Sequence, residues 1–276
     1  MLRSYLFAPG HRADVLLKAI ASEADAVILD LEDAVPRDRK EQARWNVAAA
    51  LADAPDRAAR VRINEARGAD AERDLAALPA GSFGIRVPKV EAPEDLAWVA
   101  ERRPGTPLTA ALESARGIAM AAEIAASGLC SSVSIGGMDL RRDLSLGAGE
   151  MPMLASRGAV VLAARTAGLP APVDGVYPYL DDEAGLRREA EHVRDLGFFG
   201  KAAIHPKQLP VIHDVFTPSA DEVAWARGIL GAFEDAAGGP ARTDAGEFVD
   251  RPVARRARAL LDLHERLTGR PVPSAR

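Results

Sequence analysis

Acidic, basic and amide side chains recur at the ends of short apolar runs in this chain, and those positions are where chemistry would be done. The clusters are Asp30-Leu31-Glu32-Asp33, Arg62-Ile63-Asn64, Pro88-Lys89, Glu113-Ser114, Gly136-Gly137-Met138-Asp139 and Ile204-His205-Pro206. Glu113 and Asp139 are hard oxygen donors, and a divalent cation such as Mg²⁺, with Mn²⁺ as a substitute, takes one or two protein carboxylates and leaves its other positions to water and substrate. Asp30 and Glu32 lie two apart, so on a strand they share a face. If that face points inward, Asp30, Glu32, Asp33 and Lys89 would support the metal from behind by ordering its bound water. Arg62 presents a planar fork of donors suited to a carboxylate or enolate oxygen. The glycine pair lets backbone come close, so the amides of Gly137 and Met138 are placed to hold a substrate carboxylate, although a plain tight turn explains the pair equally well.

Other polar residues carry less. His205 has no serine or cysteine nucleophile near it in sequence and reads as a structural histidine. Cys130 is the single cysteine and sits in an apolar run, so it reads as a small core residue and allows no internal disulfide. No phosphate-binding glycine loop, dinucleotide fingerprint or histidine-rich zinc spacing occurs.

These clusters need a scaffold that brings strand ends to one place. The apolar runs fall at residues 4–8, 26–32, 59–64, 84–89, 107–113, 131–136, 173–177 and 201–205. Helical patterns lie between them at 12–22, 39–52, 93–102, 118–127, 154–167 and 182–196. Pro93 suits a first helical position, and Gly128, Gly168 and Gly197 each follow a helix as a C-terminal cap does. Eight strands, each followed by a helix, close a (β/α)₈ barrel more readily than they extend an open doubly wound sheet, the structural alternative. In a barrel the C-terminal strand ends converge on one mouth. The reading is therefore an α/β chain with a (β/α)₈ catalytic domain over 1–217 and a helical extension over 218–276. That extension begins with a capping box, Ser219 with Glu222, and a polar, glycine-rich stretch at 237–246 reads as a linker that lets the last helix, 253–268, move or reach a neighbouring subunit.

Composition is ordinary for a soluble globular protein. The 276 residues are 48% hydrophobic and 27% charged, with 35 basic against 40 acidic side chains for a net charge of −5. No basic stripe interleaved with aromatics is present, which argues against nucleic acid as a partner. An acidic protein that takes an anionic substrate needs local positive charge or a metal. The first ten residues hold too short an apolar run for a signal peptide or a membrane span, so a cytoplasmic enzyme without membrane contact is expected.

Taken in order, the pieces Arg3-Ser4 with Leu6-Phe7-Ala8-Pro9-Gly10, Asp30 through Val35, Arg62-Ile63-Asn64, Pro88-Lys89, Glu113-Ser114-Ala115, Asp139-Leu140, Lys201 with Ile204-His205-Pro206, and Val249 through Val253 are similar to the citrate lyase β-subunit-like branch of the HpcH/HpaI aldolase family. The likeness spans nearly the whole chain. It departs at Ala13, where the family usually has proline, and at Ser134-Ile135-Gly136-Gly137, where many relatives have Phe-Gly. The resemblance implies a Mg²⁺ held by Glu113 and Asp139, substrate contact through Arg62, and a homotrimer or hexamer. It also implies a C-terminal lid whose aspartate, Asp250 here, enters a neighbouring subunit's site. The activity implied is carbon-carbon cleavage or formation on a 3-hydroxyacyl thioester, such as citramalyl-CoA, malyl-CoA or a citryl thioester. The carrier is CoA or an acyl carrier protein, and the products are a 2-oxo acid and an acyl thioester. An aldolase acting on free hydroxy-keto acids, a malyl-CoA-type thioesterase and a non-catalytic relative are the alternatives.

Overall fold

Runs such as Ala26–Asp30 (AVILD) and Leu108–Leu112 (LTAAL) are buried at every position, as parallel strands covered on both faces must be. The structure, a computed structural model, describes residues 1–147 and 149–269. By contacts the chain falls into two compact units, Met1–Ile212 and His213–Arg276.

In the first unit strand and helix alternate: β1 (Ser4–Pro9), α1 (Ala13–Ile20), β2 (Ala26–Asp30), α2 (Lys40–Asp53), β3 (Ala59–Arg62), α3 (Ala69–Ala77), β4 (Gly84–Val87), α4 (Pro93–Arg102), β5 (Leu108–Leu112), α5 (Ala115–Ala119), α6 (Ala121–Ala126), β6 (Ser132–Ile135), α7 (Gly137–Asp143), α8 (Leu154–Thr166), β7 (Asp174–Val176), α9 (Glu183–Asp195) and β8 (Lys201–Ala203), after which α10 (Leu209–Phe216) begins in this unit and ends in the second. All eight strands pair in parallel in the order β6-β5-β4-β3-β2-β1-β8-β7. A bridge between Ser134 and Val173 joins the two outer strands, with Ile135 N–H donating to Val173 O at 3.1 Å and Val173 N–H to Val133 O at 3.2 Å. The sheet therefore closes on itself as a (β/α)₈ barrel.

Local signals act as their chemistry requires. Gly128, Gly168 and Gly197 take φ of 72°, 71° and 100°, the left-handed conformation that ends a helix. The helix expected at 118–127 begins earlier and comes in two pieces, because the Ser114 hydroxyl accepts from Gly117 N–H at 3.1 Å and starts α5. Helices α3, α7 and α10 were not expected from pattern.

The second unit holds α11 (Ala220–Asp235), β9 (Ala241–Arg242), β10 (Phe248–Val249) and α12 (Arg251–Thr268). The capping box is formed: Glu222 N–H donates to Ser219 Oγ at 3.1 Å and Ser219 N–H to Glu222 Oε2 at 2.8 Å. The stretch 237–246, expected as a movable linker, instead enters an antiparallel hairpin in which Val249 pairs with Ala241 and Phe248 with Arg242. Val249 is buried with Ile229, Leu230, Ala257 and Leu261 in the core that joins α11 to α12. Among the described residues no helix is long and apolar enough to cross a membrane.

Candidate metal and substrate site

The strand ends meet around a cavity of about 590 Å³ whose lining includes Phe7, Asp30, Arg62, Arg86, Glu113 and the run Gly136 to Asp139. Every residue in that set except Asp139, Gly137 and Met138 sits on a strand or within one residue of its C-terminal end. The convergence expected of a barrel mouth is present.

Asp30 ends β2 with no exposed surface. Its carboxylate accepts both Nε–H and Nη2–H of Arg62 at 2.7 Å, and also the amides of Glu32 at 3.0 Å and Ala34 at 3.2 Å. Four donors occupy its oxygens, so the work of Asp30 is to hold Arg62 rather than to order water. Arg62 Nη1 lies 2.9 Å from Glu32, so Arg62 meets both acids although β2 ends at Asp30. Burial opposes the Arg62 charge, but the bonds to Asp30 and the nearby Glu32 and Glu113 outweigh it and raise the guanidinium above its ordinary value. Glu32 is pushed up by burial, with Arg62 and then Lys89 acting against the shift. Lys89 Nζ lies 2.6 Å from Glu32 and 3.6 Å from the exposed Asp33, and its backbone takes a φ of 50°, a strained value for a residue with a side chain.

Glu113 follows β5 and is 4% exposed. Its Oε2 is buried and has no hydrogen-bond partner. Burial above all, with Glu32 and Asp139 adding to it against Arg86 and Arg62, pushes its carboxyl up to about 7. Gly136 makes room for it: a β carbon there would stand 2.4 Å from Glu113 Cγ. Asp139 lies in the first turn of α7 and pairs with Arg142 at 2.9 Å. Gly137 and Met138 supply the first amides of α7, which have no acceptor within the helix.

The donor set fits a hard dication. Glu113 and Asp139 line one cavity with Asp30 and Asp33 and with no thiolate or imidazole, and Glu113 keeps an unpartnered buried oxygen that a cation would satisfy. Among the described residues no group of three or more His, Cys, Asp or Glu is disposed around a metal position. Two protein ligands with the remainder from water and substrate suit Mg²⁺ or Mn²⁺.

Two residues at the site escaped the sequence reading. Arg86, inside β4, is 6% exposed and lies 3.8 Å from Glu113. Phe7, in β1, lies beneath both guanidinium groups, 4.9 Å from Arg62 and 5.8 Å from Arg86. The signal available was the register, which sets Arg86 directly beside Arg62 on the neighbouring strand.

Other candidate residues lie in structural roles. His205 Nδ1 accepts from Lys207 N–H at 3.1 Å and caps the following turn. Lys201 is fully buried, 2.5 Å from both Asp174 and Glu189, with Arg157 completing the network. In the second unit Asp250 Oδ1 accepts from Val253 N–H at 3.1 Å and caps α12.

Comparison with known proteins finds relatives along most of the chain. The family model HpcH/HpaI aldolase/citrate lyase matches residues 3–206. A (3S)-malyl-CoA thioesterase of Cereibacter sphaeroides is 42% identical over 85% of this chain and 84% of its own length. The citrate lyase subunit beta-like protein of Deinococcus radiodurans is 38% identical over 96% of this chain and 98% of its own. The crystal structure of CitE from Mycobacterium tuberculosis, in complex with magnesium, acetoacetate and coenzyme A, superposes with a TM-score of 0.81 at 35% identity, covering 95% of this chain and 97% of that one. The chain belongs to the HpcH/HpaI aldolase/citrate lyase family.

Proposed function

We propose that the protein is a Mg²⁺-dependent carbon-carbon lyase that cleaves or forms a 3-hydroxyacyl thioester of the malyl-CoA, citramalyl-CoA or citryl type, carried on CoA or an acyl carrier protein. The observation that carries the reading is the buried, unpartnered oxygen of Glu113, a residue that lines the cavity together with Asp139 and Arg62. Glu113 and Asp139 would hold the cation, which when bound supplies Lewis-acid polarisation of the oxygen that becomes the ketone.

In the cleavage direction the hydroxyl proton passes to a solvent water, the bond between the hydroxyl carbon and the thioester α carbon breaks, and its electron pair passes to the acyl thioester as an enolate. Arg62, locked by Asp30 and Glu32, presents fixed positive charge to the oxygen on which negative charge grows. The amides of Gly137 and Met138 hold the carboxylate of the acid half. A proton must then reach the enolate carbon, and Asp250 of a neighbouring copy, in a trimer or hexamer, is assigned as its donor.

Thioester hydrolysis is the second reading, favoured by the 42% identity to the malyl-CoA thioesterase. One assay separates the two. Purified protein with malyl-CoA or citramalyl-CoA should release a 2-oxo acid with Mg²⁺ and none with EDTA, and Glu113→Gln should abolish the release. Free CoA without any 2-oxo acid establishes the hydrolase, and equal release with EDTA sinks the metal assignment.

A further inference from the structure

Arg86 is the exception among the buried arginines. Arg44 and Arg157, each 3% exposed, are bonded to carboxylates: Arg44 to Asp74, Asp70 and Glu41, and Arg157 to Glu150 and Asp174. Arg86, 6% exposed, makes no hydrogen bond with any described residue, and its Nε is buried without a partner. Its nearest carboxylate oxygen, on Glu113, stands at 3.8 Å, beyond hydrogen-bond length. A buried guanidinium left in that state is costly unless an anion arrives to meet it.

The surroundings say where the anion would come from. Arg86 lines the mouth cavity with Arg62 and Glu113. Arg62 gives two hydrogen bonds to Asp30 and lies 2.9 Å from Glu32, so Arg86 is the guanidinium of the pair that has no hydrogen-bonded carboxylate. A cation taken by Glu113 would engage the carboxylate nearest Arg86, leaving two positive groups side by side and calling for a further negative charge between them. A planar carboxylate matches that fork in two-point geometry.

We propose that Arg86 is a substrate-binding residue that holds a carboxylate of the 2-oxo acid half of the substrate, an inference that rests on the lyase reading above. Its test uses Arg86→Gln and Arg86→Lys, two side chains that both lack the fork but differ in charge. Calorimetry measures Mg²⁺ binding first. It then measures, in Mg²⁺, binding of whichever of glyoxylate, pyruvate and oxaloacetate the wild type holds most tightly. Arg86→Gln should weaken that acid about 10- to 100-fold, the size of a lost charged hydrogen bond, while Mg²⁺ binding stays within about threefold or tightens because a positive charge has left the side of Glu113. Arg86→Lys should recover part of the acid affinity. Unchanged acid affinity in Arg86→Gln overturns the proposal. So does joint loss of acid and Mg²⁺ binding in both variants, which makes Arg86 a support for Glu113. A wild type that releases no 2-oxo acid from any thioester refutes the lyase reading itself, whereas an active wild type with unchanged acid binding in Arg86→Gln refutes only the role of Arg86.

Discussion

Replacing Gly136 with alanine tests the proposed metal site through geometry alone. Gly136 has φ −101° and ψ 85°, a negative φ that leaves the left-handed argument for glycine out of account. The added β carbon would stand 2.4 Å from Glu113 Cγ and 2.7 Å from both Cδ and Oε1, where ordinary contact begins at 3.4 Å. Glu113 must retreat by about 1 Å, and a misplacement of about 1 Å at a catalytic centre costs on the order of 100-fold in rate. Crowding a packed interior adds about 1–3 kcal/mol of destabilisation. The expected result is a folded protein with a modestly lower Tm, weakened Mg²⁺ binding by calorimetry, and kcat/KM for thioester cleavage reduced about 100-fold. Gly158→Ala, in α8, serves as control, since its β carbon would meet nothing within 4 Å. A Gly136→Ala protein with wild-type Mg²⁺ affinity and turnover would show that Glu113 is not the ligand on which the site depends.

Acidity should act through the same carboxyl. In the metal-free fold Glu113 titrates at about 7 against an ordinary 4.5, so between those values the folded chain keeps a proton that the unfolded chain has released. Stability of the metal-free protein then falls as pH rises through that window, by about 3 kcal/mol in full, and Mg²⁺ raises Tm more at about pH 8 than at about pH 5.5; an equal rise at both refutes this. Asp250→Asn separates two roles of one side chain. Asparagine caps a helix as well as aspartate, so Tm should hold, while loss of the proton donor lowers turnover on the order of 100-fold, and unchanged turnover removes Asp250 from the mechanism. Lys201→Met should cost about 3–5 kcal/mol in urea unfolding, because it strips Asp174 and Glu189 of a buried partner 2.5 Å from each; a loss below about 1 kcal/mol would show the network to be dispensable.

Much of the fold was legible because burial on both faces writes a strand as an unbroken apolar run, as in β2 and β5, and because glycine and proline mark helix ends by conformation alone. The mouth residues Asp30, Arg62, Glu113 and Asp139 were legible for a related reason, since a polar residue closing an apolar run stands where the chain leaves the core. Arg86 was not, because it sits inside β4, where position gives no cue, and its neighbours there are all buried. Its place beside Arg62 follows only from the register of β3 against β4. Helix α7 was hidden by its opening Gly136-Gly137, which reads as a turn, and the hairpin of β9 and β10 by strands of two residues each, too short to show a period. Asp30 carried the opposite lesson: its position was readable, but its four donors, two of them backbone amides, belong to the folded turn and leave no trace in composition.

The single bridge that shuts the barrel has a mechanical consequence. Five register pairs join β1 to β2, whereas β6 and β7 meet through Ser134 and Val173 and two backbone bonds. Breathing of the cylinder is cheapest at that joint, since fewest ladder bonds must break there. Gly175 lies against it so closely that even a methyl group would press within 3.1 Å of the Gly137 amide. A loosened joint is therefore expected to displace the amides beside Asp139, which lie against it.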